Sequence, residues 1–137
     1  VVPERAMLTV DLRNTDDALL IQAEARLNTS ADAFAAAQGC SVTRRTLARF
    51  APVEFDTALV DQVASAANAL GHSVRRMPSG AGHDAQMFAP NCPTAMVFVP
   101  SKDGLSHNIK EYTAPSEIGA GVDVLMQVVL QQAGLTV

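Results

Sequence analysis

The stretch Thr94-Ala95-Met96-Val97-Phe98-Val99 carries no charge and no interruption. A run of this kind marks a strand covered on both faces, as in a parallel sheet sandwiched between helices. Helical patterns flank it. Upstream, Asp56 caps a helix with Leu59, Val63, Ala66 and Leu70 on one face and Gly71 after it. Residues 72–77 read as a short strand, Pro78-Ser79-Gly80-Ala81-Gly82 as a tight loop, and His83 to Phe88 as a short helix. Downstream, a polar loop runs from Pro100 to about Thr113. Pro115 then sits in the first turn of a last helix that buries Ile118, Val122, Leu125 and Val129. Alternating helix and strand predicts an α/β fold, layered, with a largely parallel sheet.

The first part of the chain reads differently. Ala6, Leu8, Val10 and Leu12 alternate with Met7, Thr9, Asp11 and Arg13, which predicts a strand with Asp11 and Arg13 on its polar face. Asn14 or Thr15 caps a helix, helped by Asp16 and Asp17 at its positive end. Leu20, Leu27, Ala31 and Phe34 form its inward stripe, and Gly39 is its stop. Residues 41–50 read as a second strand, with Arg44, Arg45 and Arg49 on a mostly polar ribbon that faces solvent or binds an anion. Ala51-Pro52-Val53 breaks this strand-helix-strand pattern, so the boundary falls between residues 51 and 52.

Hydrophobic residues make up 48% of the chain and charged residues 18%, which suits a globular protein of 137 residues with a real core. A net charge of −4 gives no case for nucleic acid or an anionic membrane, and no apolar run is long enough to span a bilayer. Cys40 and Cys92 form no CxxC pattern. They read as two free thiols in a reducing cytoplasm, with one disulfide as the alternative. The chain opens directly on a strand pattern at Val1-Val2-Pro3 without a methionine, which suggests a piece of something longer.

Three places could carry chemistry. In Ser79-Gly80-Ala81-Gly82-His83-Asp84, glycines between a strand and a helix let a ligand approach the backbone, and N–H groups there can cradle a carboxylate or phosphate. The alternative is a plain turn in which His83 and Asp84 cap the helix. In Gly104-Leu105-Ser106-His107, a histidine sits in the loop after the apolar strand, where α/β folds place their sites. A neutral imidazole there can bind zinc, although one histidine is not a metal site, and a polar loop residue is the simpler reading. Glu111, four residues on, can hydrogen-bond nearby. Arg13 has the planar fork that suits a substrate carboxylate, or it forms a surface pair with Asp11. Neither cysteine has a histidine partner in the pattern, and no serine sits in a GxSxG elbow.

The order of the segments says more than any one of them. Val1-Val2-Pro3, LTVDLR (Leu8 to Arg13), SGAGHDA (Ser79 to Ala85), FVPSKDGLSHN (Phe98 to Asn108) and EYTAPSEIGAGVDVL (Glu111 to Leu125) together resemble the dinuclear zinc amidohydrolases. That family includes N-carbamoyl-L-amino acid hydrolase, allantoate amidohydrolase and the β-ureidopropionase branch. The resemblance covers nearly the whole chain; SGAGHDA and GLSH are its more specific parts, and DLR is not specific.

The resemblance implies a zinc-exopeptidase-like layered α/β catalytic domain with an inserted α+β lid that makes a homodimer. Residues 1–51 would be the second half of the lid (strand-helix-strand), and residues 52–137 the C-terminal part of the catalytic domain. It implies His107 as a zinc ligand, and Arg13 with Gly80, Ala81 and Gly82 as the grip on a substrate carboxylate. His83 would be the catalytic histidine that polarises the scissile carbonyl or its oxyanion, with Asp84 supporting the loop. Two zinc ions, or manganese or nickel, would activate water against the C–N bond of an N-carbamoyl-L-amino acid or a related ureido acid such as allantoate. The family's other zinc ligands and its general-base glutamate lie upstream of the segments matched here. The resemblance therefore implies a cytoplasmic enzyme acting on a small molecule, of which this chain alone is inactive. The alternative is a non-catalytic carboxylate-binding and dimerisation module derived from that family. Missing partner strands would leave exposed edges able to pair between chains.

Overall fold

The computed structural model describes residues 2–135, which divide into two units, residues 2–53 and 54–135. Four α-helices and one 3-10 turn make up the regular structure of the described residues.

The first unit is built on α1 (Asp17–Ala37). Its N-cap is Asp16 rather than Asn14 or Thr15: the Asp16 carboxylate accepts the Leu19 N–H at 3.1 Å, while Asn14 Oδ1 accepts the Asp16 N–H at 2.9 Å. The helix end is as the sequence predicts. Gly39 follows it with φ 65°, a left-handed turn that costs glycine little.

Residues 40–53 run back along this helix. Arg44 donates to the Asn28 carbonyl at 2.9 Å and to Asp32 at 2.6 Å; Arg49 reaches Asp17 at 2.7 Å and Glu24 at 3.0 Å. Positions 17, 20, 24, 28 and 32 lie three or four residues apart, so they form one helical stripe. Leu20, on that stripe, is buried. Arg44 and Arg49 are therefore engaged by α1 rather than standing as an anion-binding ribbon. Exposed ion pairs of this kind add little stability; these set the direction and register of the returning segment. The remainder of the expected stripe is not buried: Leu27 is exposed and Phe34 is 74% exposed.

The second unit is organised by α2 (Thr57–Ala69) against α4 (Pro115–Gln132). Asp56 caps α2 through a 2.7 Å hydrogen bond from the Leu59 N–H, and Gly71 ends it with φ 81°. Ala66, Ala67, Val124 and Val128 form the core between the helices, with Leu59 and Val63 packed against it. Small side chains on α2 let the two backbones approach. Gln62 extends the contact by donating to Gln131 at 2.8 Å. The face that α4 turns inward is not the expected one. Ile118, Val122, Leu125 and Val129 are exposed, and Val124 and Val128 are buried. At 3.6 residues per turn the observed face lies about 100° from the expected one. The helix is apolar on both faces, so its pattern does not select between them.

Residues 94–99 lie between these helices in the sequence and touch both. The Thr94 carbonyl accepts the Asp56 N–H at 3.1 Å, and Val99 Cγ1 sits 2.5 Å from where a Cβ on Gly121 would be. Gly121 is thus required by close approach. Gly121→Ala gains about 1 kcal/mol of helix propensity but forces a valine methyl aside, an overpacking cost of about 1–3 kcal/mol. The net expectation is a lower urea midpoint. Gly119→Ala, where a Cβ meets nothing within 4 Å, should raise the midpoint. Equal shifts in the two variants would show that Val99 does not constrain α4.

The expected strands at 6–13, 41–50, 72–77 and 94–99 are not formed: no β-ladder occurs among the described residues. A strand exists by hydrogen bonding to a neighbour, and these segments find none among the described residues. The layered α/β sheet read from the sequence is thus absent, and the described residues are helical with irregular connections. The alternating segment near the start shows the consequence, with Met7 at 89% and Leu8 at 86% exposed. No side chain among the described residues is fully buried, so the expected real core reduces to the small α2–α4 cluster.

Candidate functional site

Arg13 lies in the first unit, and Gly80, Ala81, Gly82, His83 and His107 lie in the second. The Arg13 guanidinium clasps Asp11 through Nε at 3.1 Å and Nη2 at 2.7 Å, with both side chains more than 60% exposed. Hydrogen bonding from Arg13 holds the Asp11 carboxyl below its ordinary pKa. Slight desolvation opposes this, and the guanidinium's charge adds to it. The same pairing raises the Arg13 pKa. A carboxylate ligand at this guanidinium would have to share or displace Asp11.

The turn from Ser79 to Asp84 is held by its own side chains. Ser79 Oγ accepts the Ala81 N–H at 3.1 Å, a local turn that a serine immediately ahead of Gly80-Ala81-Gly82 could have signalled. His83 Nδ1 accepts the Ala85 N–H at 3.0 Å, at the start of α3 (Ala85–Phe88). A ring nitrogen that accepts carries no proton, so the neutral imidazole keeps its proton on Nε2, as a donor. Asp84, at the N-cap position, makes no side-chain capping bond; His83 does that work. Gly80 and Gly82 have ordinary negative-φ backbones, and a Cβ on either would meet nothing within 4 Å.

His107 occupies a loop introduced by the 3-10 turn Lys102–Gly104. Its backbone is left-handed, φ 56°, and its N–H donates to the Glu111 carboxylate at 2.7 Å. The hydrogen bond expected of Glu111 is present, made to the main chain. No group of three or more histidine, cysteine, aspartate or glutamate side chains among the described residues is placed to hold a metal. An exposed imidazole on a tied loop has the right chemistry for a single donor and no more; a zinc site needs three or four ligands. Cys40 and Cys92 are both free and exposed. Among the described residues, no helix is long and apolar enough to cross a membrane.

Comparison with known proteins gives the family. Residues 5–131 match the family described as peptidase family M20/M25/M40. The chain is 39% identical over 133 residues to an N-carbamoyl-L-amino-acid amidohydrolase of Rhizobium meliloti, and 35% identical over 133 residues to the allantoate amidohydrolase of Escherichia coli K12. Both matches cover 97% of this chain and 32% of the relative, so the chain spans about a third of the length of these curated relatives. Among solved structures, an amidase of the hydantoinase/carbamoylase family from Burkholderia vietnamiensis is 42% identical, with a TM-score of 0.80, over 87% of this chain and 29% of its own. One from Burkholderia multivorans is 41% identical, with a TM-score of 0.81, over 90% of this chain and 30% of its own. With a match running through both histidine loops and the Arg13 segment, the chain belongs to peptidase family M20/M25/M40, as a segment similar to its N-carbamoyl amino acid and allantoate amidohydrolases.

Proposed function

We propose that this chain is part of a metal-dependent amidohydrolase that cleaves the C–N bond of N-carbamoyl-L-amino acids or related ureido acids such as allantoate. The observation that carries this is the 39% identity over 133 residues to a protein of that name, across all three candidate segments. In this reading residues 1–51 are the second half of a lid and dimerisation domain, and residues 52–137 the C-terminal part of a layered α/β catalytic domain. The unpaired segments at 6–13, 41–50, 72–77 and 94–99 take their places in sheets whose other strands lie outside the chain. A cytoplasmic homodimer acting on a small molecule belongs to the same reading.

His107 is the one metal donor this chain supplies, to a site of two zinc ions, with manganese or nickel as substitutes. Bound zinc would supply an acidified water at neutral pH. The chain's own residues bind and orient. Arg13 and the Gly80-Ala81-Gly82 backbone grip the substrate carboxylate, which aligns the ureido carbon. His83 donates from Nε2 to the oxygen that gains charge. Arg13→Ala should raise KM for carboxylated substrates roughly tenfold, the scale of one charge-assisted hydrogen bond, with a smaller change in kcat. An unchanged KM and kcat would remove Arg13 from the site.

The deciding experiment expresses the complete reading frame that contains this segment and follows ammonia release from N-carbamoyl-L-amino acids and from allantoate. Release from either substrate, abolished by a chelator and absent from the 137-residue chain alone, is the expected result. No release by the zinc-loaded protein from any ureido acid would overturn the proposal. The second reading is a non-catalytic carboxylate-binding and dimerisation module derived from the same family. Saturable carboxylate binding by the complete protein, without hydrolysis, would support it.

A further inference from the structure

The loop that carries His107 is tied at its base by one backbone hydrogen bond, from the Lys102 N–H to the Tyr112 carbonyl at 2.8 Å. Inside it, Asp103 (φ 58°), Gly104 (φ 66°) and His107 (φ 56°) all have left-handed backbones. Glycine adopts that conformation freely. In histidine the Cβ crowds the backbone, so a histidine held there needs something to hold it. His107 is exposed, so packing does not supply the restraint.

What holds it is Glu111. The carboxylate Oε2 accepts the His107 N–H at 2.7 Å, a short, charge-assisted bond to the main chain. The carboxylate is itself aimed by a turn: the Glu111 N–H donates to the Asn108 carbonyl at 2.9 Å, and the Lys110 N–H donates to Asn108 Oδ1 at 2.9 Å. The glutamate thus folds back over three intervening residues to clamp the backbone of the histidine.

We infer that Glu111 is a positioning residue for His107: its carboxylate fixes the left-handed backbone that presents the imidazole, and so sets how tightly the histidine holds its metal. The inference rests on the reading of His107 as a zinc donor. Glu111 acts here through the main chain: its Oε2 accepts the His107 N–H. Its useful property is acceptance of that hydrogen bond, which an uncharged amide oxygen at the same reach also provides.

The test measures the zinc dissociation constant of the complete zinc-loaded protein by chelator competition, for the parent, Glu111→Ala, Glu111→Gln and His107→Ala. Glu111→Ala should weaken zinc binding by about 10–100-fold, the range for residues that orient a metal ligand. Glu111→Gln should restore binding close to that of the parent. Parent-like affinity in Glu111→Ala, with zinc lost in His107→Ala, overturns the role of Glu111 and leaves the ligand reading standing. A Glu111→Gln variant as weak as Glu111→Ala also overturns it, since charge and not acceptance would then be what matters. Full zinc affinity in His107→Ala removes the ligand reading and this inference with it. Amide hydrogen exchange at His107 in the complete, metal-free protein gives a readout independent of zinc. Protection in the parent and in Glu111→Gln, lost in Glu111→Ala, supports the clamp; rapid exchange in the parent overturns it.

Discussion

His107→Ala in the complete protein is expected to lower zinc occupancy and hydrolysis together. Removing a group that merely orients a ligand costs about 10–100-fold in metal affinity, so removing the ligand itself should cost at least about 100-fold. The described residues contain no cluster of three or more candidate donors, so a water would have to take the vacated position. The measurement is metal content after dialysis beside the rate of ammonia release. A variant with full zinc and a reduced rate would make His107 a substrate-binding residue. A variant with full zinc and a full rate would take it out of the site altogether.

The second large effect is expected at His83. Its Nδ1 is committed to the Ala85 N–H at 3.0 Å, which leaves Nε2–H as the outward donor. If that donor meets the oxygen that gains negative charge in the transition state, its loss should cost about 10²–10³-fold in kcat. His83→Ala removes both the donor and the turn contact. His83→Asn is the sharper test. An asparagine carbonyl can still accept an N–H two residues on, as in an Asx turn, but it places nothing at the Nε2 position. The expected result is a parent-like KM and melting temperature with the full loss in kcat. A normal kcat in His83→Asn would reduce His83 to a helix cap, the simpler role that its hydrogen bond already demonstrates.

Zinc retention and turnover thus report on different loops. His107 and Glu111 should move metal affinity, His83 should move kcat at constant metal, and Arg13 should move KM. Gly121→Ala should move stability alone, because it lies on α4 against Val99 and touches none of the candidate loops.

How much was legible beforehand follows from the range of each interaction. The helices of both units could be read from the chain, since their hydrogen bonds run only four residues back. Their stops at Gly39 and Gly71, the cap at Asp56 and the position of Pro115 were equally readable. The exception was the first cap. Asn14, Thr15 and Asp16 are all good caps side by side, and the hydrogen bond from the Asp16 N–H to Asn14 Oδ1 settles which one takes the helix end. The candidate segments were readable too, as a sequence order shared with a family and not as geometry.

The rest depended on what lies far away in the chain. Alternation and an unbroken apolar run marked segments suited to a sheet, but a strand is made by its neighbour, and the described residues provide none. The arginines at 44 and 49 look like a polar ribbon until α1 brings Asp17, Glu24 and Asp32 beside them, 12 to 32 positions away in sequence. Helix α4 is apolar on two faces, and only packing against Ala66 and Ala67 of α2 selects Val124 and Val128. The backbone of His107 could not be read at all, because left-handed geometry at a histidine goes against its own preference and is held by Glu111. Local preference set where the helices begin and end; the partners of strands, charges and helix faces were decided by tertiary structure, because those energies exist only once distant residues meet.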